Sequence, residues 1–103
     1  MNTQVEGCSH VEGFPDLAHA LEVGEKIKLV LEPYNPYDRH AILVKNQEGK
    51  KLGYIPRSKN EVLFHLMDAG KFLYGEVARV YEFQDIKNHN PRYQLVINVY
   101  MQD

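Results

Sequence analysis

Apolar and polar positions alternate along most of this chain and repeat with a helical period in one stretch. From Lys26 to Glu32, Ile27, Leu29 and Leu31 fall on one face and Lys26 and Lys28 on the other. That two-residue period predicts a half-buried strand. Ala41 to Lys45 and Lys51 to Ile55 read as two further strands, joined by a hairpin at Gln47-Glu48-Gly49-Lys50 in which Gly49 is free to take a positive φ. Phe72 to Tyr81 is a fourth, with Gly75 a bulge or a point of close approach. Tyr93 to Met101 turns Leu95, Ile97 and Val99 inward, and Val5 to His10 is a short strand ending near Gly13. The helical period appears after Pro56. Ser58-Lys59-Asn60-Glu61 reads as a capping box. Val62 with Leu66 and Leu63 with Met67 form an apolar stripe, and Gly70 stops it. A helix is therefore expected over residues 58–69.

The breaks between these stretches carry their own chemistry. Pro33 and Pro36 remove two backbone donors, and Asn35-Pro36 favours a turn. Asn88-His89-Asn90-Pro91 reads as a loop, and Asp16 to Leu21 predicts a short second helical turn after Pro15. The sum is a mainly β (α+β) chain of about six strands and one clear helix. Short strands with frequent turn signals suggest a small closed or partly open barrel with the helix plugging one end, which would hide its sheet edges. No repeat, low-complexity run or linker divides the chain, so one domain over residues 1–103 is expected.

Composition narrows the function. A single cysteine excludes an internal disulfide framework, and without a secretion signal a reducing, cytoplasmic setting is the expectation. No apolar run approaches the roughly 20 residues of a membrane span. A net charge of −2 and a pI near 6.2 exclude a uniformly basic polyanion binder. The charge is unevenly placed, however. Residues 1–25 hold Glu6, Glu12, Asp16, Glu22 and Glu25 and no Lys or Arg, whereas residues 39–59 hold six bases against Glu48 alone. The basic block is either a solvated face or a local anion-binding surface.

Catalytic patterns are absent. Cys8 and His10 would share a strand face with Cβ atoms roughly 7 Å apart, too far for a thiol–imidazole pair. Cys8 therefore reads as a small buried hydrophobe. The candidate metal ligands Cys8, His10, His19, His40, His65 and His89 lack zinc-finger spacing, so neither a metal nor another cofactor is expected. No Walker loop, G-x-G-x-x-G or H-E-x-x-H occurs. The informative constellation is Tyr34, Tyr37 and Tyr54 interleaved with Arg39, Arg57 and Lys59. Aromatic platforms beside cations suit single-stranded nucleic acid, each stacked base contributing about 1–3 kcal/mol. Tyrosines covering core edges would look the same in sequence.

One stretch is more particular than its pattern. Glu32-Pro-Tyr-Asn-Pro-Tyr-Asp-Arg-His-Ala-Ile-Leu-Val44, followed by Gly53-Tyr54-Ile55-Pro56-Arg57, closely resembles the HIRAN domain, and the likeness extends over roughly residues 4–101. The resemblance implies a small OB-like β-barrel with helical elaborations that captures the 3′-hydroxyl end of single-stranded DNA in DNA repair and replication. By that likeness Tyr37 stacks near the terminal nucleotide and Asp38 accepts a hydrogen bond from the 3′-hydroxyl. Tyr54 lines the pocket, and Arg57 lies at or next to a family Lys that contacts phosphate. Val80 or Tyr81 falls near a late aromatic. The family's Arg-Tyr pair after the first strand reads Ser9-His10 here: His10 can stack and Ser9 can donate, but one phosphate cation is gone. The expectation is a monomeric binding module, not an enzyme, with a protein partner supplying any motor or nuclease activity. The alternative is a protein-interaction adaptor that keeps the barrel without binding DNA.

Overall fold

A computed structural model describes all residues except 85, 88, 89 and 103. The elements run β1 (Asn2–Gln4), a 3₁₀ turn (Cys8–His10), α1 (Phe14–Ala20), β2 (Lys26–Glu32), β3 (Ala41–Lys45), β4 (Lys51–Tyr54), α2 (Arg57–Asp68), β5 (Phe72–Gln84) and β6 (Pro91–Gln102). All strand pairs are antiparallel, in the order β1-β6-β5-β2-β3-β4. β2 is the pivot. Lys26 and Ile27 pair with β5, while Lys28 to Glu32 pair with β3, so one strand serves both halves of the sheet.

Of the expected closed or partly open barrel, the closed form is not seen: the sheet does not close. β1 and β4 remain the two edges of the sheet; among the described residues one isolated bridge joins the chain just after β1 to β4, with Glu6 and Tyr54 exchanging backbone hydrogen bonds of 2.8 Å. A longer ladder is prevented because Gly7 turns left-handed, at φ 80°, immediately after the bridge. The same turn overturns the expected strand from Val5 to His10: the strand is Asn2–Gln4, and Cys8–His10 winds into a 3₁₀ turn. Gly53 lets the two edges meet. A Cβ there would lie 2.4 Å from the Glu6 carbonyl oxygen and 2.7 Å from Val5 Cγ1.

One hydrophobic cluster, including Val5, Ile27, Ile42, Val44, Leu52, Leu95 and Ile97, forms the core. α1 contributes Phe14 and Ala18, and α2 contributes Leu63 and Phe64. The helix differs from the expected one at its start. Arg57 is its first residue and Pro56 its N-cap, with no side-chain capping bond, so the capping box at Ser58 and Glu61 is not used. Val62 is 66% exposed and lies off the buried stripe. At the other end the motif is as expected: the Gly70 amide donates to the Met67 carbonyl and the Lys71 amide to the Leu66 carbonyl, a Schellman closure.

The hairpin at residues 46–50 forms, with Gly49 at φ 86°. Gly75 is a point of close approach to Ile27 and Ile97, while the bulge in β5 sits two residues later, between Val77 and Arg79. β5 and β6 run longer than their alternation suggested, because their distal halves are paired but exposed. The loop expected at residues 88–91 lies partly outside the described residues. Among the described residues no helix is long and apolar enough to cross a membrane.

Candidate nucleic-acid interface

The turn between β2 and β3 is built by Asn35. Its Oδ1 accepts from the amides of Tyr37 at 2.9 Å and Asp38 at 3.2 Å, and its Nδ2 donates to Glu32 at 3.1 Å. These bonds satisfy two backbone donors of the turn and hold Tyr37 and Asp38 at the head of β3. Tyr37 is 84% exposed, its ring free in solvent.

Asp38 is more enclosed and lines a cleft of about 430 Å³. Its Oδ1 accepts from the His40 amide at 2.9 Å, its Oδ2 accepts from Asn60 Nδ2 at 2.7 Å, and Arg57 Nε lies 3.6 Å from Oδ2. Burial alone would raise the carboxyl's pKa. The two hydrogen bonds and the Arg57 charge outweigh it, so the group stays below the usual carboxylate range and is ionised at neutral pH. Each carboxylate oxygen has two lone pairs, so both keep accepting capacity. Arg57 is itself held: its Nη2 donates to the Tyr37 carbonyl at 2.5 Å. The guanidinium thus joins the turn to the first residue of α2.

Tyr37, Asp38, Tyr54 and Arg57 all line this one cleft, together with Lys51 and Glu6. Tyr54 is not a bare platform. Its hydroxyl donates to Glu32 at 2.8 Å, and Lys51 Nζ covers its ring at 4.7 Å from the centroid. Burial and the Glu32 carboxylate together push the phenol up to about 12. Tyr54 therefore acts as a wall, while Lys51 and Arg57 are the cleft's cations.

The remaining sequence candidates separate from this group. Ser9 and His10 line a neighbouring cleft of about 840 Å³ with Arg92, Tyr93 and Phe83. The two clefts share Glu6 and Gly7. Lys59 points away, its Nζ 3.5 Å from the Asn2 carbonyl, and Tyr34, 96% exposed, lines neither cleft. Val80 packs against the core and Tyr81 carries Arg79 over its ring at 4.4 Å; neither borders Asp38. Cys8 is buried among core residues, which raises its thiol to about 11 and keeps it protonated.

Three contributors escaped sequence reasoning. Asn60 is buried and orients Asp38 from 22 positions away, a pairing with no local signal. Glu32 organises both Asn35 and Tyr54 from the last position of an otherwise ordinary strand. Lys51 was visible only as one charge in the basic block.

Comparison with known proteins places this geometry in context. The HIRAN domain family model matches residues 1–102. The helicase-like transcription factor of Oryctolagus cuniculus is 36% identical over 59 residues, and that of Mus musculus 34% identical over 68. These alignments cover 57% and 66% of this chain but 6% of either relative. Among solved structures, a protein from Lactobacillus plantarum superposes with a TM-score of 0.72 at 31% identity, covering 95% of this chain and 90% of that one. The HIRAN domain of human HLTF superposes with a TM-score of 0.66 at 22% identity, covering 96% of this chain and 74% of that one.

Proposed function

The chain belongs to the HIRAN family, and on that premise we propose that it is a nucleic-acid-binding module that holds a single DNA strand at its free 3′-hydroxyl end. It acts by binding and performs no chemistry of its own; in a repair or replication setting, a motor or nuclease would come from a partner protein. The observation that carries this reading is the Asp38 carboxylate. It is ionised, held by His40 and Asn60, and lines a cleft bordered by an exposed tyrosine and two cations. Such a group accepts a hydrogen bond from a hydroxyl and repels a terminal phosphate. Tyr37 offers its face to the last base, while Lys51 and Arg57 face the phosphates behind it.

Fluorescence anisotropy with oligonucleotides ending in a 3′-hydroxyl, in a 3′-phosphate, and as blunt duplex tests this directly. The 3′-hydroxyl strand should bind most tightly. Tyr37→Ala should weaken it by about 1–3 kcal/mol, the value of one stack. Asp38→Asn should abolish the preference for hydroxyl over phosphate. Equal affinity for all three ends would defeat the end-recognition reading.

One observation favours a second reading. Glu6 lies at the junction of the two clefts, where its charge opposes a passing phosphate, and Ser9-His10 supplies no fixed cation beside it. A protein-interaction adaptor would tolerate both features. It would show no oligonucleotide binding and would retain a protein partner from nuclease-treated lysate.

A further inference from the structure

His40, Glu61 and His65 come together on the outer side of α2. One imidazole nitrogen or carboxylate oxygen from each lies within 4.8 Å of the others. Glu61 and His65 are one helical turn apart, with Nε2 to Oε1 at 4.0 Å. His40 arrives from the end of the turn that carries Asp38. Its ring packs edge-on against Phe64 and His65, with centroids 5.3 and 5.2 Å away. Among the described residues no hydrogen bond engages either imidazole, so each keeps a ring nitrogen free for a ligand.

We propose that these three side chains form a site for a borderline divalent transition ion, of which Zn²⁺ is the representative. The donor set decides the class. Two imidazoles and one carboxylate suit zinc and its neighbours, whereas magnesium and calcium require oxygen ligands. Zinc bonds of about 2.0–2.2 Å in tetrahedral geometry place ligand atoms about 3.3–3.6 Å apart. The present spacing needs to contract by only about 1–1.5 Å to reach that geometry. Glu61 and His65 have exposed side chains that can turn to close it, while His40 is already seated. With three protein ligands, the ion keeps a fourth position for water or an anion. Sequence spacing hid the site: Glu61 and His65 show an i,i+4 relation, but the third ligand lies 21 residues before Glu61 in a different element.

Position gives the site a consequence. His40 lies two residues after Asp38, and Glu61 follows Asn60, which is the side chain that orients Asp38. An ion bridging His40 to α2 therefore clamps the same turn to the same helix. Metal uptake by itself does not depend on the DNA-binding reading, so it can be tested separately.

Tag-free, chelator-treated protein titrated calorimetrically with ZnCl₂ should take up one equivalent, and MgCl₂ should give no heat. His65→Ala, an exposed helix position that leaves the core intact, should weaken uptake at least about tenfold, and His40→Gln should do the same. The thermal midpoint should rise with zinc in the wild type and stay unchanged in His65→Ala. No uptake at millimolar zinc overturns the proposal. So does uptake that survives in both variants, since the ion would then be held elsewhere.

Discussion

Asp38 shows how a single residue serves structure and chemistry together. Its carboxylate ties the β2–β3 turn to α2 through Asn60 and Arg57, and in the proposed function it is the acceptor offered to a ligand. Because its folded-state pKa lies below the ordinary value of about 3.9, ionisation favours the fold. That stability is fully present above the unfolded pKa and is lost as pH falls through the lower, folded value. Urea unfolding of wild type and Asp38→Asn between about pH 3 and pH 7 should show it. The wild-type advantage should be constant from about pH 5 upward and shrink below about pH 4. An advantage independent of pH across that range would mean that the carboxylate's charge is not coupled to folding.

At the scale of elements, the contact between the chain after β1 and β4 shapes the cleft. Glu6 and Gly7 form one wall, Tyr54 and Ile55 another, and the gap between them is set by a backbone contact over Gly53. Gly53→Ala would drive a methyl group into the Glu6 carbonyl, and the neighbour is backbone that cannot swing aside. Overpacking of this kind costs about 1–3 kcal/mol. For a domain of this size each kcal/mol lowers the melting midpoint by about 4–8 °C. Differential scanning calorimetry should find that drop, whereas Gly49→Ala, which meets a left-handed φ but no neighbouring atom within 4 Å, should cost less because it carries backbone strain without the clash. Equal effects at the two positions would refute the argument from close approach.

The elements also show where sequence reasoning succeeded. β2, β3 and β4 and the hairpin between the last two were legible, because alternation and a turn glycine act over a few residues. The start of α2 was not. Ser58 and Glu61 have the chemistry of a cap, but Pro56 already supplies the carbonyl that accepts from the Lys59 and Asn60 amides, so the helix opens earlier. β1 was displaced for a similar reason. The pattern from Val5 to His10 is compatible with a strand until Gly7 turns left-handed, and Asn2–Gln4 pairs with β6 instead.

Over the whole molecule, charge distribution sets what kind of binding is available. The radius of gyration is 13.7 Å, and the longest extent of 44 Å exceeds the other two, 30 and 23 Å. β5 and β6 stay paired from Phe72 and Gln102 out to Gln84 and Pro91. Of the basic block from Arg39 to Lys59, only Lys51 and Arg57 line the Asp38 cleft. Binding through two phosphate contacts predicts a shallow salt dependence. For a single strand the slope of log K against log salt should be about −1 to −2. Anisotropy titrations across a salt series would measure it. A slope steeper than about −4 would mean that the strand follows a broader basic path than this cleft.

The sequence by itself determined the mainly β class, most strand positions, the Gly70 helix stop, the burial of Cys8 and the family. Through the family resemblance it also marked Tyr37, Asp38, Tyr54 and Arg57 as candidates, since the motifs that carry the resemblance are local. Tertiary structure decided what required distant parts of the chain to meet. It left the sheet open, with one isolated bridge, among the described residues, from the chain after β1 to β4. It turned Lys59 and Tyr34 away from the cleft, set Ser9 and His10 in the adjoining one, and placed Asn60 against Asp38. It also gathered His40 with Glu61 and His65. These outcomes depend on how the strand edges approach and on which face α2 lays against the sheet, and no local period records either.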